Sequence, residues 1–240
     1  MTETKLFVAG ASLLALLLCG CGRNSVEMTA ERDWLLIPAS DRGPVASLAI
    51  LSDGKNILGE AQLINPAPDT ADYWIPVDIS DYRGQQLEIV IDGEESPEAA
   101  LSAIRQSDSR ELDLDEPYRQ VYHFTPEFGW TNDPNGMVWH DSEYHLAYQA
   151  NPYGTKHFNM HWGNAVSTDL VHWTDLPFIV APDELGAIFS GSAVVDIEGT
   201  AGFGENAIVE MYTSASATQK PSTPKGCGVS RSVMHSVQPR

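Results

Sequence analysis

Cysteine is scarce in this sequence, with three residues among 240. Cys19 and Cys21 lie at the end of an amino-terminal apolar run, so the rest of the chain has Cys227 alone. A single thiol excludes an internal disulfide there, and it excludes a metal cluster built from cysteine. The histidines are spread through the chain without the convergence that a zinc site needs. We therefore expect no metal and no other cofactor.

Positive charge is also scarce. Lys and Arg number 14 against 33 Asp and Glu, which gives a net charge of −19. This balance argues against nucleic acid and anionic membrane surfaces as partners, because both bind basic patches; a neutral partner or a cation stays open. The carboxylates end at Glu210, and the stretch from Met211 to Arg240 carries only basic charges. A shift this abrupt indicates a different domain or a different origin.

The amino-terminal apolar run, LFVAGASLLALLLC, is too short to span a bilayer as a helix, which takes about 20 residues. Its length is typical of a secretion signal. The residues LCGC that end at Cys21 resemble the lipobox of bacterial lipoproteins. The resemblance implies a signal peptide over residues 1–21 and a lipid anchor at Cys21, in the cell envelope on the periplasmic or outer surface. A plain signal peptide or an uncleaved anchor is the alternative.

Residues 30–105 contain five short runs that are typical of strands: WLLIP, ASLAIL, EAQLI, YWIPVDI and LEIVI. Turn signals separate them, so we expect a small antiparallel β-sandwich. Pro76 predicts an edge strand for YWIPVDI. Ser96 as N-cap and Pro97 at the first helical position predict a helix that closes the module. No chemistry is recognisable here, and the module is interpreted as a structural or sugar-binding accessory domain.

From Tyr118 onward, short strands follow one another with aromatic residues between them. This pattern predicts a β-propeller, in which each blade is a four-stranded sheet. A sandwich or a barrel would explain the pattern almost as well. The fold class is therefore all-β, with the amino-terminal sandwich followed by this second unit over residues 118–215.

The stretch GWTNDPNGMVW, from Gly129 to Trp139, places Asp133 inside a strong turn signal between two tryptophans. The plain explanation is that its side chain caps the turn. The motifs that follow along the chain favour a catalytic role instead.

WTNDPNG resembles the nucleophile motif of glycoside hydrolase family 32, the invertases, levanases, inulinases and related β-fructofuranosidases. Three more motifs follow in the family's order: YQANPYG, MHWGNAVSTDLVHW and GAIFSGSAVVD. The resemblance covers the amino-terminal part of the family's domain only. It implies a five-bladed propeller, of which about two blades are present, with the sugar pocket at one mouth of the central channel.

The resemblance also assigns roles. Asp133 is the implied nucleophile of a retaining hydrolysis of fructans (levan or inulin) or sucrose, and Asn132 and Gln149 would bind fructose hydroxyls. The other implied substrate-binding residues are His157, Trp162, Phe189 and Ser190. His157 stands where the family has tryptophan, and Asn164 stands where it has histidine. Each tryptophan in the unit, Trp162 included, is also explained by core packing.

Two further carboxylates of the family, in an Arg-Asp-Pro motif and a Glu-Cys motif, have no counterpart in these residues. Residues 216–240 are basic and free of acid, which indicates a truncated or frame-shifted tail outside the family; a short natural tail is the alternative. We expect a lipid-anchored glycosidase whose chain, as written, lacks its acid/base and is inactive. A non-catalytic remnant or fructan-binding lipoprotein is the second hypothesis, and a related enzyme acting on arabinan-type furanosides is the third.

Overall fold

The computed structural model of the chain describes residues 24–183, 186–216 and 229–237. This part consists of antiparallel strands with one short α-helix and one 3₁₀ turn, so the predicted all-β class is confirmed. No helix within it is long and apolar enough to cross a membrane. The predicted signal peptide with Cys21 lies outside the described residues.

The first eight strands form two facing sheets. The larger has the strand order β1-β7-β3-β4, with β5 also paired to β3, and the smaller has the order β6-β2-β8. The bounds are β1 (Ser25–Thr29), β2 (Trp34–Ala39), β3 (Ala46–Ser52), β4 (Lys55–Asn56), β5 (Gln62–Ile64), β6 (Tyr73–Asp78), β7 (Gln86–Gly93) and β8 (Arg105–Ser107), with a 3₁₀ turn (Ser80–Tyr82) and helix α1 (Glu98–Ala103).

The alternation of side chains explains why the two sheets pack together. In β3, residues of the sequence ASLAILS are alternately buried and half-buried, as expected for a strand with one face in a core. Leu48 and Ile50 lie on that face and pack in one cluster with Ile37 of β2 and Ile89 of β7. Each such side chain contributes about 1.5–3 kcal/mol relative to an exposed one. The predicted sandwich is confirmed.

Details of the sandwich differ from the sequence prediction. Strand β6, which holds Pro76, lies at the edge of its sheet as predicted. The helix prediction was wrong by one residue: Pro97 is the N-cap, because its carbonyl accepts the first helical hydrogen bond, from the Leu101 amide. Strands β1, β4 and β8 were not predicted, since all three are short and largely polar.

The remaining strands form two more antiparallel sheets. The first has the order β12-β11-β10-β9, the four strands expected of a propeller blade, and the second has the order β13-β14-β15. The bounds are β9 (Trp130–His140), β10 (Glu143–Asn151), β11 (His161–Ser167), β12 (Thr174–Val180), β13 (Ala187–Asp196), β14 (Ala207–Ser216) and β15 (Val229–Val237). Strand β15 falls in the stretch 216–240, which the sequence analysis placed outside the family.

The two blade-like sheets share a core. The cluster between them consists of Ala147, Trp162, Val180, Ile188 and Tyr212. On the other face of the first sheet lies a second cluster of Leu146, Tyr148, Ala150 and Ala165. Strand β10 is therefore buried on both faces, which fixes its register.

Candidate functional site

Asn132 and Asp133 lie inside strand β9, so the prediction of a tight turn was wrong. On the neighbouring strand β10 they oppose Gln149 alone. Two residues opposite one define a β-bulge, which bends the strand and redirects its side chains. The turn-like composition is explained by this irregularity, since Pro134 cannot donate to a regular ladder.

A second bulge lies in β13. Ser190 is an extra residue between Phe189 and Gly191, which pair with adjacent residues of β14. The Ser190 hydroxyl donates a hydrogen bond to Oδ2 of Asp133 at 2.6 Å. Both side chains are exposed. The two bulges thus bring together two residues that the sequence assigned to one site.

Gln149 supplies an unsatisfied amide beside the first bulge. Its side chain is only 4% exposed, and neither Nε2 nor Oε1 has a hydrogen-bond partner among the described residues. Buried polar groups of proteins are normally paired. An amide both donates and accepts, so Gln149 is suited to a hydroxyl-bearing ligand.

His157 lies at the same end of β9 as the first bulge. Its imidazole packs edge-on against Trp130, the first residue of β9, with ring centroids 5.2 Å apart. His157 is exposed, and Trp130 is half-buried. We refer to this pair as the aromatic wall; Trp130 stands two residues before Asn132 in β9.

Trp162 lies wholly in the core and has no exposed surface. This contradicts direct contact with a substrate and favours the alternative of core packing. Its indole nitrogen donates to the carbonyl of Phe189 at 3.2 Å, so it supports the backbone just before Ser190. The Phe189 side chain itself is 44% exposed and remains open to a ligand.

Asn135 is a site residue that the sequence analysis missed. It is buried, and its Oδ1 accepts a hydrogen bond from the amide N–H of Gly191 at 3.3 Å. This bond joins β9 to β13 directly after Ser190. Gly136 allows the close approach, because a Cβ there would lie 2.6 Å from the amide nitrogen of Ala193. In the sequence the Asn-Gly pair is typical of a turn, so the contact that Asn135 makes between the two sheets was not predicted.

A small cavity lies between the two blade-like sheets. Its lining includes His145, Asn164 and Glu210, and does not include Asp133. Glu210 is 2% exposed and its Oε2 has no partner among the described residues. Burial raises the pKa of Glu210 to about 7. The carboxyl group of Glu210 is therefore buried inside the fold, in a cavity that Asp133 does not line.

The raised pKa of Glu210 predicts a pH-dependent stability. Burial favours the neutral carboxyl group of Glu210, so the protein keeps its full stability below the ordinary pKa of 4.5. As the pH rises from there through about 7, the buried carboxyl group ionises and the free energy of unfolding falls. The full loss is about 3 kcal/mol. We expect Glu210→Gln to be more stable than wild type at pH 8 and nearly equal at pH 4, measured by urea unfolding. The exposed Glu205→Gln serves as the control, and equal gains in both variants would contradict the prediction.

No group of three or more His, Cys, Asp or Glu side chains is placed to hold a metal ion within the part of the chain that the structure describes. What the bulges assemble is a carboxylate held by a serine hydroxyl, a neighbouring asparagine, a buried unpaired amide and an aromatic wall. Such a set can bind hydroxyl groups and offers one carboxylate as a nucleophile or base.

Residues 123–232 match the family model described as "Glycosyl hydrolases family 32 N-terminal domain". The chain is 59% identical to the levanase of Bacillus subtilis (strain 168) over 102 residues, which cover 41% of this chain and 15% of that protein. It is 45% identical to an extracellular exo-inulinase of Aspergillus awamori over 111 residues, or 43% of this chain and 21% of that protein. The chain thus spans less than a quarter of the length of these relatives.

Among solved structures, the chain is similar to the exo-inulinase from Aspergillus awamori. The sequence identity is 43% and the TM-score is 0.41, over 43% of this chain and 22% of that chain. A glycoside hydrolase family 32 structure from Bifidobacterium adolescentis is 27% identical with a TM-score of 0.39, over 81% of this chain and 36% of that chain.

Proposed function

Because residues 123–232 match the model of the amino-terminal domain of glycosyl hydrolase family 32, we propose that this chain carries the nucleophile half of a fructosyl-hydrolysing site. The substrate class is fructan, such as levan or inulin, or sucrose. The observation that carries the proposal is the pair of facing bulges, which hold Asp133 and Ser190 in a hydrogen bond beside the unpaired amide of Gln149.

The proposed reaction proceeds with retention. The Asp133 carboxylate attacks the anomeric carbon of a terminal fructosyl unit, while a second carboxyl group gives its proton to the departing oxygen. Water then hydrolyses the fructosyl ester and returns a proton to that second group. Ser190 donates to Oδ2 of Asp133, which orients the carboxylate and leaves Oδ1 for the attack.

Asn132, Gln149 and His157 supply the proposed contacts to sugar hydroxyls. A buried hydroxyl without a partner costs about 1–3 kcal/mol, so the unpaired Gln149 amide favours a polyhydroxyl ligand over an apolar one. Phe189 and the Trp130–His157 wall present apolar surface for a sugar ring face. Trp162 does not contact the sugar in this proposal; its indole N–H supports the backbone before Ser190 by donating to the Phe189 carbonyl.

We propose that the second carboxyl group of the retaining pair is not among these 240 residues, because the Arg-Asp-Pro and Glu-Cys motifs that the family resemblance implies are absent from the sequence. We do not assign this role to Glu210, because it is buried and lines the cavity between the sheets, which Asp133 does not line. We therefore propose that the chain on its own lacks turnover. A fructan-binding, non-catalytic lipoprotein is the second candidate, favoured by the ligand-binding groups being present while the acid/base is absent.

A chimera tests the function. Residues 118–215 would replace the corresponding part of the Bacillus subtilis levanase, to give what we call the levanase chimera. We expect this chimera to release fructose from levan, inulin or sucrose, and residues 22–240 alone to release none. A folded chimera that is inactive on all three would refute the hydrolase proposal. Turnover by residues 22–240 alone would refute the missing acid/base.

We also propose that residues 1–21 direct export, that Cys21 is acylated, and that residues 30–105 form an accessory domain ahead of the partial catalytic propeller over residues 118–215. The apolar run with LCGC supports the export signal, and the exo-inulinase relative from Aspergillus awamori is named as an extracellular enzyme. In cells fed a palmitate analogue, we expect label on wild type and none on Cys21→Ser, with Cys227→Ser as the control. Label on Cys21→Ser would contradict the anchor.

A further inference from the structure

The segment between β10 and β11, residues 152–160, contacts the strand that carries the candidate site. It carries His157, whose ring packs against Trp130. Trp130 begins the strand that holds the bulge at Asn132 and Asp133. The placement of this segment therefore decides what a ligand meets beside the proposed nucleophile.

Asn159 attaches this segment to the amino-terminal sandwich. Its Nδ2 donates to the carbonyl of Leu63 at 2.7 Å, and its Oδ1 accepts from the amide N–H of Leu63 at 2.7 Å. Leu63 lies in β5, whose other edge pairs with β3. The amide of Asn159 thus pairs with the open edge of β5 as the backbone of a neighbouring strand would.

The same side chain also holds the segment to the end of β10. The Nδ2 of Asn159 donates to Oδ1 of Asn151, the last residue of β10, at 3.0 Å. Asn151 in turn donates to the carbonyl of Lys156 at 2.8 Å and accepts from the amide of Tyr153 at 2.9 Å. Asn159 has a φ of 49°, a left-handed conformation that asparagine adopts more readily than most residues.

Other contacts of the segment also lead to the sandwich. The Thr155 hydroxyl donates to the carboxylate of Asp41. Tyr153 packs against the sandwich core. The segment is thus held by the sandwich on one side and meets Trp130, through His157, on the other. Since a surface segment without strand pairing has many conformations, contacts of this kind select one of them.

We propose that Asn159 is a positioning residue, through which the amino-terminal sandwich fixes residues 152–160 and holds His157 against Trp130, and thereby sets which fructosyl ligands the site accepts. The effect on ligand choice rests on the proposed function. The placement of the segment is independent of it.

Two variants of the full chain test this role. Asn159→Ala removes the amide. Asn159→Asp keeps nearly the same volume and the acceptor for the Leu63 N–H, and it has no donor for the Leu63 carbonyl or for Asn151. A residue that only fills space would tolerate Asp, whereas a positioning amide would not. The matched control is Asn206→Ala, an exposed asparagine with a φ of 61° in the β13–β14 turn.

Hydrogen exchange and NMR read the placement directly. In both Asn159 variants we expect amides of residues 152–160 to exchange at least about 10-fold faster, with β2 and β3 unchanged. The ring protons of His157, shifted by the neighbouring Trp130 ring, should move toward the values of a free histidine. The dissociation constant for levan oligosaccharides, from titration calorimetry, should rise about 10-fold. Asn206→Ala should match wild type in all three measurements.

Each contrary outcome has a definite meaning. Unchanged exchange in Asn159→Ala, or wild-type behaviour of Asn159→Asp, would overturn the positioning role. Faster exchange with an unchanged dissociation constant would overturn the link to ligand choice. If wild type binds no levan oligosaccharide, the proposed function fails for this chain, and the exchange and NMR results decide the positioning role by themselves.

Discussion

Fructose release from levan by the levanase chimera is expected to fall by a factor on the order of 10⁴ or more when Asp133 is replaced by Asn. Asparagine has nearly the same shape, so the sugar still binds. It has no carboxylate to form the covalent bond to the anomeric carbon, so the chemical step stops. Steady-state kinetics should therefore show a collapse of kcat with a KM that changes little.

Two serine variants of the levanase chimera are compared with Asp133→Asn. Ser190→Ala removes the hydroxyl that donates to Asp133, and a hydrogen bond to a charged group contributes about 1.5–3 kcal/mol. A loss of roughly 10- to 100-fold is expected if most of that contribution is made in the transition state. Ser192→Ala changes an exposed serine of the same strand and should leave the rate unaltered. If Asp133→Asn keeps more than about a tenth of the activity, another group is the nucleophile.

The amino-terminal sandwich illustrates what the sequence can predict. Strand β3 was predicted from the short aliphatic run ASLAIL, which turn signals bound, and the structure has a strand there. Pro76 likewise marks an edge strand because proline lacks the N–H that an inner strand needs. These features are local, so they could be predicted without knowing which strands pair.

The bulges could not be predicted in this way. Whether Asn132 and Asp133 oppose one residue or two depends on the register with β10, and that register is set by packing on both faces of β10. The composition Asn-Asp-Pro is typical of a turn and gave the wrong local structure. Resemblance to a family identified Asp133 and Ser190 as site residues, and the hydrogen bond that joins them follows from the meeting of two sheets.

Glu210 and Asn159 show the same limit at longer range. In the run AIVEMYT a single glutamate stands among apolar residues, and Ile208 and Tyr212 share its face of the strand. The run alone does not say whether that face meets water or another sheet. The second sheet packs on the first through that face, so Glu210 is buried. Asn159 lies in a polar loop, and nothing near it in sequence points to Leu63, far earlier in the chain. Tertiary contacts alone define the roles of both residues.

Gly191→Ala is expected to destabilise the described fold more than any other single methyl group added near the site. A Cβ at this position would lie 1.9 Å from the carbonyl oxygen of Met211 and 2.7 Å from the Cα of Tyr212. Both are backbone atoms of the paired strand β14, so no side-chain rotation can relieve the contact. We expect a loss of at least about 3 kcal/mol in the free energy of unfolding, measured by urea denaturation of the full chain.

The control for Gly191→Ala is Gly154→Ala, whose Cβ would meet nothing closer than the Tyr73 hydroxyl, at an ordinary contact distance of 3.4 Å. That variant should change the free energy of unfolding by less than about 1 kcal/mol, since Ala also restricts the unfolded chain. Equal effects of the two changes would contradict the close approach of β13 to β14. Because of this close approach, the strand that bears Ser190 must shift in Gly191→Ala. Ser190 then leaves Asp133, so the same methyl group that lowers stability also separates the two bulges of the site.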